Sequence, residues 1–365
     1  MGGVDAVSNS TDPADSIHIT VEDPVQPKER LELARLRERL KLCEVHAREM
    51  ERLALSGAAL RDLLGTLDAP NITANPEWLR GAAKPGHTTG TGVLFISDVH
   101  WDEIVEASQV GGYNQYNHEI AERRLKNTFR NCIRLLKGHM ASPNYQGLVC
   151  VLGGDIFSGT IHDELRETNE VPILVSLSTI EPVLIEGIGG LADEFGKVHV
   201  PCVTGNHGRL HVKPRYKNRA FENFEWSLYM RLASHFKSDS RITFDIPEGP
   251  DTTFTIFRKK FLLTHGDSFS GGGGIGGVIV PILRGTAKKL WREQAIGSAF
   301  DILMCGHWHT LIQLESLIVN GSIKGMDELA YARGYSPERP QQALFVVHPE
   351  MGITARWPIL VDIEV

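Results

Sequence analysis

The 365-residue chain lacks several features that would each have pointed to a function. Its five cysteines are odd in number and follow no framework spacing, which excludes a disulfide-stapled scaffold. No stretch reaches the ~18 apolar residues of a membrane span. The N-terminal segment also holds no apolar run suited to a signal peptide. The glycine run in 270–277 has no Gly-Lys-Ser/Thr ending for a P-loop, nor the spaced glycines of a dinucleotide fold. Positive charge is not in excess either. A net charge of −7 argues against a protein that coats nucleic acid, while leaving local basic patches open.

What is present is ordinary in bulk. An apolar share of 42% and a charged share of 23% are those of a globular protein, and the length suits one large domain plus an appendage. Cys150, Cys202 and Cys305 fall in expected core strands and read as buried thiols of a reducing compartment. The expectation is a soluble, cytoplasmic protein with no membrane partner.

The information is concentrated at the ends of short apolar runs. Val93–Ile96, Leu148–Leu152, Val198–Val203, Phe261–Leu263 and Ile302–Met304 read as buried strands bounded by turns. Each is followed by side chains able to bind a metal: Asp98 and His100, Asp155, Asn206 and His207, His265, then His307 and His309. In open α/β sheets ligands bind just beyond the carboxyl ends of the strands. Carboxylate, imidazole and amide oxygen together suit Mn, Fe, Zn or Co, and the absence of cysteine excludes a structural thiolate site. A carboxylate has two oxygens and can bridge two cations; Asp155, in a tight Gly-Asp turn, is the natural bridge. Two cations ~3.5–4 Å apart can clamp a phosphoryl group and hold a hydroxide for in-line attack.

The order Asp98-x-His100, Gly154-Asp155, Gly205-Asn206-His207, His265, Gly306-His307-x-His309 resembles the calcineurin-like metallophosphoesterase superfamily over roughly residues 90 to 325. The resemblance implies an α/β fold of two sheets forming a sandwich flanked by helices, and two divalent cations, manganese foremost with iron or zinc also suited. Asp98, His100, Asp155 and His309 would hold the first cation; Asp155, Asn206, His265 and His307 would hold the second. His207 would face the substrate and protonate the leaving oxygen or bind the phosphoryl group. Ile318–Ser322 is similar to the family's closing strand and turn. Two departures stand out. Gly208 replaces the acid that usually follows Gly-Asn-His and orients its histidine; His162 and Asp163 read either as ordinary surface-loop residues, the favoured reading, or as its replacement. After Asp155 there is no Arg-Gly pair, which argues against a phosphoprotein phosphatase.

Residues 1–27 read as disordered, 28–67 as a charged helix with a coiled-coil-like seam, 68–91 as a linker and 92–365 as the catalytic domain. The helical appendage would serve either homo-oligomerisation or packing on the domain. Helices are expected over 118–140, over 175–195 with an interruption near Gly187–Gly190, and over 220–236. Hairpins are expected at 252–264 and 342–359. Arg209, His211, Lys213, Arg215 and Lys217 form a basic strip leaving directly from His207, able to track a nucleic-acid backbone. The glycine run reads as either a lid or a plain connection, and Trp101 and Trp308 as base-stacking or core residues. The reading is a phosphodiesterase acting on nucleic acid. Alternatives are a phosphomonoesterase, a small-nucleotide diesterase, or a non-catalytic scaffold.

Overall fold

The computed structural model describes residues 72–81, 88–270 and 277–363, all within one compact unit, residues 54–365. The expected disordered segment and helical appendage lie outside the described residues, as do 271–276 of the glycine run.

Two mixed sheets stack face to face. The first comprises β1 (Gly90–Ile96), β2 (Tyr145–Leu152), β3 (Val198–Pro201), β4 (Ile242–Asp245), β10 (Gln341–His348) and β11 (Gly352–Leu360), in the order β11-β10-β1-β2-β3-β4. The second comprises β5 (Asp251–Ile256), β6 (Lys259–Thr264), β7 (Ile302–Cys305), β8 (Ile312–Gln313) and β9 (Leu317–Val319), in the order β5-β6-β7-β9-β8. β1, β2, β3 and β4 run parallel, as do β6, β7 and β9. Their carboxyl ends carry all the motif residues.

Side-chain alternation explains the layers. Val93, Phe95, Val149, Val151, Phe345 and Val347 point from the first sheet into a core shared with Phe254, Phe261, Leu263 and Met304 of the second. The intervening residues of β6, β7 and β9, Leu262, Leu303, Cys305, Leu317 and Val319, face outward onto Ile282 of a helix at Ile279–Ala295. Strands covered on both faces need apolar residues at every position, and β1 is buried throughout. Edge strand β5 instead alternates half-buried and buried residues.

Chain-order helices are α1 (Glu77–Arg80), α2 (His118–Gly138), α3 (Asp163–Thr168), α4 (Ile173–Phe195), α5 (Phe224–His235), α6 (Ile279–Ala295) and α7 (Glu328–Ala332). α2 and α4 pack together, and α4 lies on β2 and β3 and touches α5. Helices on the first sheet, two sheets and α6 on the second make four layers.

Three sequence expectations need correction. α4 runs unbroken through Gly187–Gly190. A β-carbon at Gly187 would lie 2.3 Å from the Phe129 ring, so the glycine permits close approach of α2 and α4 and does not end the helix. α4 is also long and apolar enough to cross a membrane, but Ile173, Leu177, Ile180, Leu184, Ile188 and Leu191 are buried within the protein. Finally, residues 72–81, expected as linker, join the packed domain: Ile72 pairs with Phe244, and Leu79 is buried in the shared core. Cys132, Cys150, Cys202 and Cys305 are free and buried.

Candidate metal centre

Six of the seven ligand candidates fall into two groups at the carboxyl ends of the strands. Asp98, His100 and His309 offer ligand atoms within 4.8 Å of one another, and Asp155, His265 and His307 do the same. His207 is placed against both groups: its ring lies 4.7 Å from that of His100, and its backbone amide donates to Asp155 Oδ1 at 2.8 Å.

Backbone conformation is part of how the ligands converge. Eight non-glycine residues among those described have positive φ, and five are the ligand candidates Asp98, His100, Asp155, His307 and His309. Such conformations cost on the order of 1–3 kcal/mol each and persist only where surrounding structure enforces them. The enforcing contacts are visible. Asp98 Oδ1 accepts from the His307 amide at 2.9 Å, and Asp98 Oδ2 accepts from Ser97 Oγ at 2.5 Å. Ser322 Oγ and the Ile323 amide both donate to the Asp98 carbonyl. Asn320 Nδ2 reaches Phe95 O, Ser97 Oγ and Gln342 Oε1. The closing turn after β9 thus pins the first motif. Glycines admit the close approaches: a β-carbon at Gly205 would sit 2.1 Å from Asp155 Oδ1, and one at Gly306 2.4 Å from Asp98 Oδ2.

The donor set fits cations. His100 Nε2 and His309 Nε2 face each other at 3.2 Å, and His309 Nε2 is 3.3 Å from Asp98 Oδ1. Asn206 Oδ1 is buried with no hydrogen-bond partner, a costly state for an amide oxygen unless a cation takes its lone pair. Outer partners fix the rings. His265 Nδ1 donates to Gly153 O at 2.9 Å, leaving Nε2 toward Asp155, also 2.9 Å away. His100 Nδ1 makes no hydrogen bond but stands 3.4 Å from Glu103 Oε2, with Nε2 inward. A second-nitrogen bond to a backbone carbonyl, as at His265, is one way metal-bound histidines are oriented.

Burial first, then the charge of Lys324, holds His100 well below its ordinary value, so it is neutral and has a lone pair to give. Burial, then His265, lowers His307 to about 4. Burial opposes charge on His265 too, but Asp155 outweighs it and raises the imidazole to about 10. Asp155 is correspondingly held well below the carboxylate range, its burial outweighed by His265 and then His207. Burial, and next the charge of Asp155, push Glu225 up to about 8.

The missing acid behind His207 is answered by a carbonyl. His207 Nδ1 lies 2.8 Å from Ser158 O, which can only accept, so Nδ1 carries the hydrogen and Nε2 is the free end. The Ser158 amide donates to Asp102 Oδ1 at 2.7 Å, and its hydroxyl donates to Glu103 Oε2 at 3.0 Å. Asp102 is raised by burial to about 7, against the opposing pull of the Ser158 amide. His162 lies against the His207 ring at 5.5 Å, whereas Asp163 is exposed and pairs with Arg166. Trp101 is fully buried and donates to Thr179 Oγ1 at 2.9 Å, so it packs. Trp308 packs on the second sheet's outer core.

The basic strip divides. Arg209 is half-buried, and its guanidinium donates to the carbonyls of His211 (2.8 Å), Asn206 (3.3 Å) and Val212 (2.7 Å). His211 Nε2 lies 3.1 Å from Glu222 Oε2, and Arg215 NH1 3.6 Å from the same oxygen. Lys213 and Lys217 are exposed, as is Tyr216 between them. Arg209, His211, Arg215 and Arg219 line a cavity that opens beside Asn206 and includes Asp267. Arg219 donates to Asp267 at 2.8 Å; burial would raise that carboxyl, but Arg219 outweighs it and holds it low.

Sequence reasoning missed Glu103, Lys324, Glu225 and Ser158. The acids Asp102 and Glu103, one residue past Asp98-Val99-His100, were a local signal; Glu225 has none.

The two helix-flanked mixed sheets carry this candidate ligand set just beyond the carboxyl ends of their parallel strands. Comparison with protein-family models finds no match, nor does comparison with curated proteins. Among solved structures, the chain is similar to a conserved protein of Streptococcus pneumoniae described as a predicted phosphoesterase, at 9% identity and TM-score 0.26 over 73% of this chain and 97% of that one. It is similar to the sulfate thiohydrolase SoxB of Thermus thermophilus at 10% identity and TM-score 0.29, over 77% and 58% of the two chains. A Staphylococcus aureus protein described as a 5'-nucleotidase aligns at 12% identity and TM-score 0.30, over 74% and 54%. The chain thus spans little more than half the length of the latter two.

Proposed function

We propose that this protein is a metal-dependent hydrolase of phosphate esters that cleaves phosphodiester bonds, with nucleic acid as the favoured substrate. The observation carrying the reading is the pair of three-residue ligand groups, together with the orphaned Asn206 oxygen on the loop whose His207 amide bonds Asp155. Asp98, His100, Asp155 and His309 would hold one divalent cation, and Asp155, Asn206, His265 and His307 the other, with manganese the first choice. When bound, the cations would supply Lewis-acid polarisation of a phosphoryl oxygen and a nucleophile at neutral pH.

The chain's own residues do the rest. Asp155, hydrogen-bonded through Oδ1 to the His207 amide, ties the ligand loops to the histidine that meets the substrate. With Nδ1 held by Ser158 O, an imidazolium at His207 can present its Nε2 proton to the leaving oxygen. The same group stabilises charge as it develops on the phosphoryl oxygens. Lys213 and Lys217, exposed on the loop that leaves His207, suit contacts to a polymer backbone; such contacts bind without reading sequence.

One observation favours a second reading. Arg209, His211 and Arg215 are occupied by partners within the loop and line a small cavity beside Asn206. That arrangement suits the anionic part of a small nucleotide or a phosphomonoester. A panel of single- and double-stranded DNA, RNA, cyclic nucleotides and nitrophenyl phosphate with Mn supplied tests the choice. Turnover of the polymers supports the first reading; turnover of the monoester alone overturns it.

A further inference from the structure

Glu225, in the first turn of α5, is fully buried, and backbone amides take both of its oxygens. Oε1 accepts from Ile156 N at 2.7 Å and Oε2 from Gly205 N at 2.6 Å. Ile156 follows Asp155 and Gly205 precedes Asn206, so one carboxylate joins the two loops whose side chains would share a cation. The α5 N-cap grips the same place from the other side. Asn223 Oδ1 accepts from the Glu225 amide at 2.9 Å, while Asn223 Nδ2 donates to Gly205 O at 2.9 Å. Gly205 is therefore held at both its amide and its carbonyl.

Gly208 makes the room. A β-carbon there would lie 2.4 Å from Asn223 Oδ1 and 2.9 Å from Glu225 Cγ, so the space for a side chain after His207 is filled from α5. A buried carboxylate is expensive unless its bonds are good, and an apolar residue here would leave two buried amides unpaired. The two short bonds, at 2.7 and 2.6 Å, pair both amides and both carboxyl oxygens.

We propose that Glu225 is a positioning residue for the metal centre: it locks the Asp155 and Asn206 loops in register, so that both side chains address one cation. This rests on reading the site as a metal centre, not on which ester is cleaved.

The test is Glu225→Gln in the full chain. The amide keeps the shape but sets an NH2 against one of the two backbone amides. Mn affinity measured by calorimetry without substrate should fall roughly 10- to 100-fold, as for other residues that orient metal ligands. Excess Mn should restore turnover, a signature that a merely structural lesion would not give. Parental Mn affinity in this variant overturns the proposal. Should the variant not fold, hydrogen exchange of the Ile156 and Gly205 amides in the parent decides. Protection like that of the core strands supports the bridge, and exchange at the rate of an open loop overturns it. A parent whose Mn affinity depends on Glu225 yet which hydrolyses no ester would remove only the phosphoesterase reading.

Discussion

His207 is oriented by the backbone carbonyl of Ser158, 2.8 Å from its Nδ1, and not by a carboxylate. A carbonyl fixes the tautomer, leaving Nε2 free, but adds no full negative charge behind the ring. His207→Ala should therefore lower kcat by about 10²–10⁴-fold, the range for a lost general acid, and leave the Mn content per chain unchanged. Single-turnover kinetics beside elemental analysis measures both. A variant that loses its metal would make His207 a ligand and contradict the assignment.

Exposed Lys213 and Lys217 are the parts of the loop free to touch a polymer. Reversing both charges should weaken DNA or RNA cleavage far more than hydrolysis of a small diester. The salt dependence of polymer binding should also become shallower, by about one unit of slope for each phosphate no longer neutralised. Equal losses on both substrates would remove the loop from substrate binding.

The space beside Asp155 is tested by Gly205→Ala. The added β-carbon would stand 2.1 Å from Asp155 Oδ1. Mn affinity by calorimetry should fall at least about tenfold, as when an outer partner of a ligand is disturbed. Parental affinity would mean that Asp155 can move aside without consequence.

Stability should carry an acid limb from His199, which lies on β3 away from the ligand loops. It is fully buried beside Thr243 Oγ1, and burial lowers it to about 4. Between that value and the unfolded imidazole's ~6.5 the unfolded chain binds more protons, so stability rises with pH across the window. Replacing this one group by His199→Asn should remove a decline of about 3 kcal/mol between pH ~6.5 and pH ~4. Denaturant melts of both proteins across that range measure it. Parallel curves would contradict the shift.

Much of this was legible in the sequence because both signals are local. The five apolar runs became β1, β2, β3, β6 and β7, and the residues that end them sit at the carboxyl edge where the fold brings parallel strands together. Both hairpins and α2 also stand near their expected bounds. What was missed depends on distant partners. No helix is expected from the sequence at α6, whose Gly285 lies against the Phe269 ring, where a β-carbon would be 2.1 Å from it. α4 passes Gly187 for the same reason, with Phe129 as the neighbour. Glu225 acts about 20 residues beyond the motif it supports and about 70 beyond the other. Gly208 looked like a missing acid because a single sequence shows the empty position and not the helix that fills it.

The most direct test of the dinuclear site is Mn titration of the intact chain by calorimetry with elemental analysis, alongside Asp155→Ala. Two cations per parent chain, with both weakened in the variant, is the expected result. A parent chain that takes up no cation, or an Asp155→Ala chain that binds both as tightly as the parent, would contradict it.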